Sequence, residues 1–326
     1  MIGITSAKSK IWSKMGARAV FGMAMLELAG QRDDVVVLSA DLVTSSGLDR
    51  FKKTYPDRCI NVGIAEQNLI GIASGLAHEG ATVFATSFAP FISMRAGEQI
   101  RMNMGYMEMN VKAVGIGSGL AMAHLGNSHY GLEDISVMRS IPNITVLCPA
   151  DGAEIFQAVF AAAEIKGPVY IRLTGGVNNP IIYDGDYEFE IGKSIRLRDG
   201  GDLTIITNGA MAHQSLAAAD ILQKEGISAS VINMHTVKPL DCEAVKVAAI
   251  NGPIVTVEEH SVIGGLGSAV AEYKSTLKNA LPQLFIGLPD KYGKSGDYEY
   301  LIDTHGLTGE KIAAKIKEFC RNDGAI

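Results

Sequence analysis

The stretch NVGIAEQNLIGIASGLAHEG, residues 61–80, decides how the rest of the chain is read. A short apolar strand runs into a helix whose first turn carries Glu66, and Gly71 and Gly75 lie four apart on one face of that helix. Residues at that spacing sit above one another, so the pair predicts a place where another helix comes close. A glutamate at a helix start is ordinarily a solvated charge favoured by the helix dipole. The context here differs. Val62, Gly63, Ile64 and Ala65 precede Glu66, and no Lys or Arg lies near it in sequence. The next element follows in TSFAPFISMRAGEQIR, residues 86–101, with Phe88 and Phe91 three apart at an expected helix start. Phe88 and Phe91 are ordinarily core residues, and beside a lone carboxylate on the neighbouring element two rings can equally form an apolar slot for a flat heterocycle.

Outward from this unit the pattern repeats. Val35–Ser39, Cys59–Asn61, Thr82–Ala85, Lys112–Ile116, Ile144–Leu147 and Val169–Leu173 read as short buried strands, and Lys14–Ala29, Ala65–His78, Pro90–Met104 and Asp151–Ile165 as helices. Asp151 and Glu154 are spaced to form a capping box. The alternation breaks at residues 178–199, where Pro, Asp, Gly and Tyr accumulate, and a second series follows. Its strands are Leu203–Thr207, Ser228–Asn233 and Pro253–Glu258, and its helices Ala212–Glu225, Asp241–Ile250 and Leu266–Leu277. Thr308 is placed to cap a final amphipathic helix. Strand–helix alternation predicts mostly parallel sheets covered by helices. The expected fold class is α/β with two domains, residues 1–190 and 191–326.

With 326 residues, the chain exceeds the usual size of one domain. Apolar residues make up 47% and charged residues 20%, which is a core-forming and not a disordered composition. A net charge of −6 without long charge blocks gives no electrostatic case for nucleic acid or an anionic membrane. Cys59, Cys148, Cys242 and Cys320 are widely spaced and read as reduced thiols, so a cytoplasmic location is expected. The start MIGITSAKSKIWSK has no apolar stretch of signal-peptide length. The uncharged run from Ala113 to Leu132 holds five glycines and two histidines and reads as a Gly-rich loop region, not a membrane span.

GIAEQN at 63–68, SFAPF at 87–91 and SHYGLEDISVMRSIPNITVLCPAD at 128–151 together resemble the transketolase family. LSADLVTSS at 38–46, HTVKPLD at 235–241 and VEEHSVIGGLG at 257–267 extend that resemblance over nearly the whole chain. It is most similar to the split form, in which two subunits make one enzyme. The resemblance implies a pyrimidine-binding domain followed by a C-terminal domain, with thiamine diphosphate as cofactor. It implies that Glu66 hydrogen-bonds N1′ of the aminopyrimidine and favours its imino tautomer, the form that activates the thiazolium carbon. Phe91 is then the ring stacked on the pyrimidine and Phe88 the wall beside it. Ile64 and Gln67 flank the catalytic glutamate as cofactor contacts, and Asp41 is an acidic residue near the cofactor and subunit interface. His129, in S-H-Y where the family has T-H-Q, is implied to act near cofactor and substrate. Arg18 and Ser45 match positions that bind a sugar phosphate.

Three positions depart from the family pattern. Leu125 stands for an acid, Gly117 for a histidine and Gly175 for a sugar-phosphate arginine, which leaves the ketose and aldose open; His124 and Arg172 are nearby candidates for those lost contacts. The family's Gly-Asp-Gly run for Mg²⁺ and the diphosphate has no counterpart, DGD at 184–186 and DGGD at 199–202 being turn-like. The resemblance therefore implies a partner subunit that carries the diphosphate and the metal ligands, in an α₂β₂ heterotetramer. GGLG at 264–267 is expected to be a tight strand–helix turn, since it lacks a P-loop lysine. EEH at 258–260 is expected at a domain interface. The implied reaction moves a two-carbon ketol unit from a ketose to an aldose. The alternatives are the β-subunit of a 2-oxoacid dehydrogenase, a 1-deoxyxylulose-5-phosphate synthase, suggested by the Phe91–Arg95 spacing, and a non-catalytic scaffold of the same fold.

Overall fold

The computed structural model describes residues 3–322. Its strands are β1 Val35–Ser39, β2 Cys59–Asn61, β3 Thr82–Phe88, β4 Val111–Ile116, β5 Thr145–Leu147, β6 Val169–Arg172, β7 Ile195–Arg198, β8 Leu203–Thr207, β9 Ala229–Asn233, β10 Thr236–Lys238, β11 Ile254–Ser261 and β12 Gln283–Leu288. They form a seven-stranded sheet of order β10-β5-β6-β4-β3-β1-β2 and a five-stranded sheet of order β12-β11-β8-β9-β7. All pairings are parallel except β10 with β5 and β7 with β9. This is the α/β, two-domain architecture the alternation predicts.

Central strands buried on both faces need helices on both sides. Every residue of β3 and β4 is buried. One face is covered by helices Ala17–Gln31 and Gly152–Glu164 through Phe21, Met25, Leu28, Phe156 and Val159. The other is covered by helix Glu66–His78 through Leu69, Ile70 and Ala73, with Ile100, Met104 and Met138 beside them. The second sheet packs on helices Met211–Lys224 and Gly309–Asn322. Among the described residues no helix is long and apolar enough to cross a membrane.

Local signals account for most boundaries. Asp151 Oδ1 accepts from Glu154 N at 2.9 Å, and Glu154 Oε2 accepts from Ala150 N at 2.6 Å, one residue ahead of the N-cap. Thr308 Oγ1 accepts from Lys311 N, as expected of a cap. Elsewhere tertiary structure overrides the local pattern. The single helix expected over Lys14–Ala29 is two, Ser6–Met15 and Ala17–Gln31, broken at Gly16. Gly16 has φ +77°, and a Cβ there would lie 2.8 Å from Gly176 O, so the break is set by a close backbone approach. The helix expected over Pro90–Met104 is π-helical at Phe91–Arg95 and Ile100–Tyr106, and Phe88 belongs to the strand before it. Among the described residues the face of Gly71 and Gly75 meets no helix, since no heavy atom lies within 4 Å of a Cβ built at either. Strand β10, from the second series, returns to the first sheet and pairs Thr236 with Leu147.

Candidate functional site

Ligand sites of open α/β sheets lie outside the carboxyl ends of the strands. The carboxyl ends of β1, β2 and β3 deliver Asp41, the turn before Glu66, and Phe88 to one place. Asp41, at φ +60°, exchanges two hydrogen bonds with the Asn61 side chain, and Gly63 N also donates to Asn61 Oδ1. That lacing fixes the turn that aims Glu66 inward. Glu66 is only 2% exposed. Its Oε1 accepts from Ser87 Oγ at 3.1 Å and its Oε2 from Arg95 Nη1 at 2.8 Å. The isolated carboxylate expected from the sequence is therefore not isolated: a cation from 29 residues along the chain pairs with it. Arg95 is itself 46% exposed, and its guanidinium carbon lies 4.1 Å from the centre of the Phe91 ring. Gln67 Nε2 donates to Arg95 O at 3.2 Å.

Three rings close the slot. Phe88 and Phe91 meet edge to face at 6.0 Å, and His129 stands edge-on to both, at 5.6 and 5.1 Å. His129 Nδ1 lies 2.9 Å from Ser128 Oγ. Ile64 lies at the rim, 77% exposed. The structure thus groups Phe88, Phe91 and His129 in mutual contact, with Glu66 and Gln67 joined to them through Arg95. Arg95 and Ser87, which hold the carboxylate, were missed; the only sequence hint was the four-residue step from Phe91 to Arg95.

Arg18 and Ser45 line a separate cavity of about 240 Å³, together with Gly16, Gly117, Met122 and Gly175. A Cβ on Gly117 would sit 3.6 Å from the Phe88 ring, so the cavity adjoins the aromatic wall. Gly117 and Gly175, two of the three departures from the family pattern, both face this space. Leu125 is half exposed at the loop surface. Neither candidate replacement reaches the cavity wall. His124 pairs with Asp297 at 3.0 Å on the surface.

Arg172 is wholly buried in the seam between the domains. Its Nε donates to Asp134 at 2.9 and 3.0 Å, and its Nη2 to Gly131 O and Glu259 O. Glu259 accepts from Leu120 N across the same seam and from Tyr298 Oη of its own domain. Glu258 accepts from Leu266 N and Gly267 N, so the helix start within GGLG holds a carboxylate of its own chain instead of an external phosphate. Burial pushes Glu258 and Glu259 up to about 7 and His260 down to about 4. EEH is thus built into the contact between domains. Among the described residues no group of three or more His, Cys, Asp or Glu side chains is placed to hold a metal ion.

Comparison with known proteins gives a consistent picture. Residues 13–177 match the family described as transketolase, pyrimidine binding domain, and residues 192–312 the transketolase C-terminal domain. The chain is 44% identical to the putative transketolase C-terminal section of Methanocaldococcus jannaschii, over 93% of this chain and 96% of that protein. It is 42% identical to the 6-deoxy-6-sulfo-D-fructose transketolase subunit SqwH of Clostridium sp. (strain MSTE9), over 90% and 91%. A solved structure named as a split gene transketolase, inactive beta4 tetramer, superimposes with a TM-score of 0.85 at 42% identity, covering 93% of this chain and 97% of that one.

Proposed function

The chain belongs to the transketolase family, and from that premise we propose that it is the pyrimidine-binding and C-terminal subunit of a split transketolase that uses thiamine diphosphate. The observation that carries this reading is the buried Glu66 carboxylate beside a Phe91 ring face on which a flat cationic group already stacks. The side chains present fit an aminopyrimidine: a ring face for stacking, a carboxylate to accept from the ring, and between them a flat N–H donor, the Arg95 guanidinium, already in that geometry. When bound, the cofactor supplies the electron sink for breaking and remaking a carbon–carbon bond. The protein's own groups place it and control protons. Glu66 holds a hydrogen bond at the ring nitrogen N1′, with Ser87 fixing its other oxygen. Phe91 stacks, Phe88 walls the slot, and Asp41, Ile64 and Gln67 form its lip. His129, edge-on to both rings, is the group nearest an arriving sugar.

Arg18 and Ser45 are assigned to the anionic end of the ketose, in the cavity they line together with Gly117 and Gly175. A guanidinium with a hydroxyl suits a phosphate or a sulfonate equally. The diphosphate and Mg²⁺, which take oxygen ligands, are assigned to a partner subunit in an α₂β₂ assembly, each site then needing both proteins. A boundary between the domains near residue 190 and a cytoplasmic setting, suggested by four widely spaced cysteines with no C-x-x-C pair, complete the proposal. The test is co-purification with a diphosphate-domain partner, then ketol transfer assays over sugar phosphates, sulfo-sugars and unphosphorylated aldoses. Transfer that requires both proteins is the expected result; full activity of this chain alone overturns the split assignment.

A further inference from the structure

We propose that Arg95 is a built-in stand-in for the cofactor ring: in the empty subunit its guanidinium occupies the pyrimidine's place, and the cofactor must displace it to bind. The inference rests on the pyrimidine site proposed above and concerns a residue to which that reading gives no role. Two independent contacts define the place a ring would take, the face of Phe91 and the inner oxygen of Glu66. Arg95 makes both at once, with its guanidinium carbon 4.1 Å from the ring centre and Nη1 2.8 Å from Oε2. A guanidinium is planar, carries several N–H donors in its own plane and stacks on aromatic faces, so it resembles an amidine-like ring edge. Few other side chains combine these properties.

The burial of the two partners is unequal, and that asymmetry allows exchange. Glu66 is 2% exposed and its other oxygen is held by Ser87, whereas the Arg95 side chain is 46% exposed. The carboxylate stays; the guanidinium has solvent to leave into. While it is seated, it prevents an unpaired buried carboxylate, which is costly, and it keeps Phe91 and Glu66 in register for a flat guest. Its backbone is tethered by the bond from Gln67 Nε2 to Arg95 O, so departure requires only side-chain rotation. The consequence is a competition: the apparent affinity for the cofactor is its intrinsic affinity reduced by the fraction of molecules in which the place is free.

Calorimetric titration of thiamine diphosphate, with Mg²⁺ present, into the assembled enzyme tests this with four forms of the chain: wild type, Arg95→Ala, Arg95→Lys and Phe91→Ala. If Arg95 is seated roughly nine-tenths of the time, Arg95→Ala tightens the apparent Kd about tenfold. Arg95→Lys keeps the charge and loses the flat stack, so it is expected between the two. It also serves where the alanine variant does not fold. Phe91→Ala is expected to weaken binding. Equal or weaker binding on removing Arg95, with Phe91→Ala still weakened, overturns the stand-in and leaves the pyrimidine site in place. Binding indifferent to both Phe91 and Arg95 removes the site reading and the stand-in together. An arginine with a merely structural role would not tighten cofactor binding when removed.

Discussion

Two carboxylate–arginine pairs in this chain look alike on paper and are built for opposite ends. Asp134 and Arg172 are both fully buried, the guanidinium is spread over a carboxylate and two carbonyl groups from both domains, and neither partner can reach solvent. Glu66 and Arg95 share one hydrogen bond; one partner is enclosed and the other half exposed. The contrast teaches that what separates a structural ion pair from an exchangeable one is the unequal burial of its members and not the residue types. The seam pair is closed to solvent on both sides. The Glu66 pair is a place already shaped for a guest.

The largest expected effect falls on the seam. Asp134→Ala leaves a buried guanidinium without its counter-charge and should cost about 3–5 kcal/mol, measured by urea unfolding of the chain. A double replacement of Asp134 and Arg172 by apolar residues should recover much of that loss. A small effect of the single change would break the comparison. Next comes Glu66→Gln, which should lower ketol-transfer turnover of the assembled enzyme by about a hundredfold or more while the urea midpoint moves far less than in Asp134→Ala. Turnover within a few-fold of wild type would remove Glu66 from the mechanism.

The pH dependence sharpens the same contrast. Burial holds Glu258 and Glu259 protonated up to about 7 and Glu154 up to about 8, against an ordinary 4.5. The folded chain therefore binds more protons than the unfolded chain between about 4.5 and 8, and these groups make stability fall as pH rises through that range. His235 and His260, held neutral down to about 4 by burial, act oppositely below their ordinary 6.5, losing stability as pH falls. Above pH 6.5 the histidine contribution is spent, and Lys112, lowered to about 7 by burial, opposes the carboxyls only above that value, so urea midpoints should decline from pH 6.5 to 7, and less steeply in Glu258→Gln. A rising midpoint over that window would contradict the burial of the seam. The smallest effect is expected at Arg18→Ala, which should raise KM for a phosphorylated ketose about tenfold, the scale of one charge-assisted hydrogen bond. An unphosphorylated ketose should be affected less; equal effects on both would take the anion contact away from Arg18.

Much of this was legible in the residues, for identifiable reasons. The runs of β4 and β6, with Val or Ile at most apolar positions, are buried on both faces, so their composition marks them. The Asp151 cap is a local contact and reads locally. What stayed hidden is non-local. Nothing near HTVK at 235–238 says that it will pair with Leu147 in the other sheet. Arg95 lies 29 residues from Glu66, and a π-helical turn separates its real direction from that of an ordinary helix. Arg172 was a candidate for substrate because it lies near a lost family arginine; its guanidinium is instead consumed by Asp134 and two carbonyls. Gly71 and Gly75 have the spacing of a helix contact, but among the described residues no element supplies one.

Strand β10 carries a consequence for biosynthesis. Until Thr236–Lys238 has been made, β5 is the open margin of the first sheet, with its peptide groups along Val146 and Leu147 unmatched. A ribosome adding roughly 5–20 residues per second leaves that margin bare for several seconds after β6 has emerged. The nascent chain is then most open to adhesion by other nascent chains, and a stop codon placed between the two sheets would make that condition permanent.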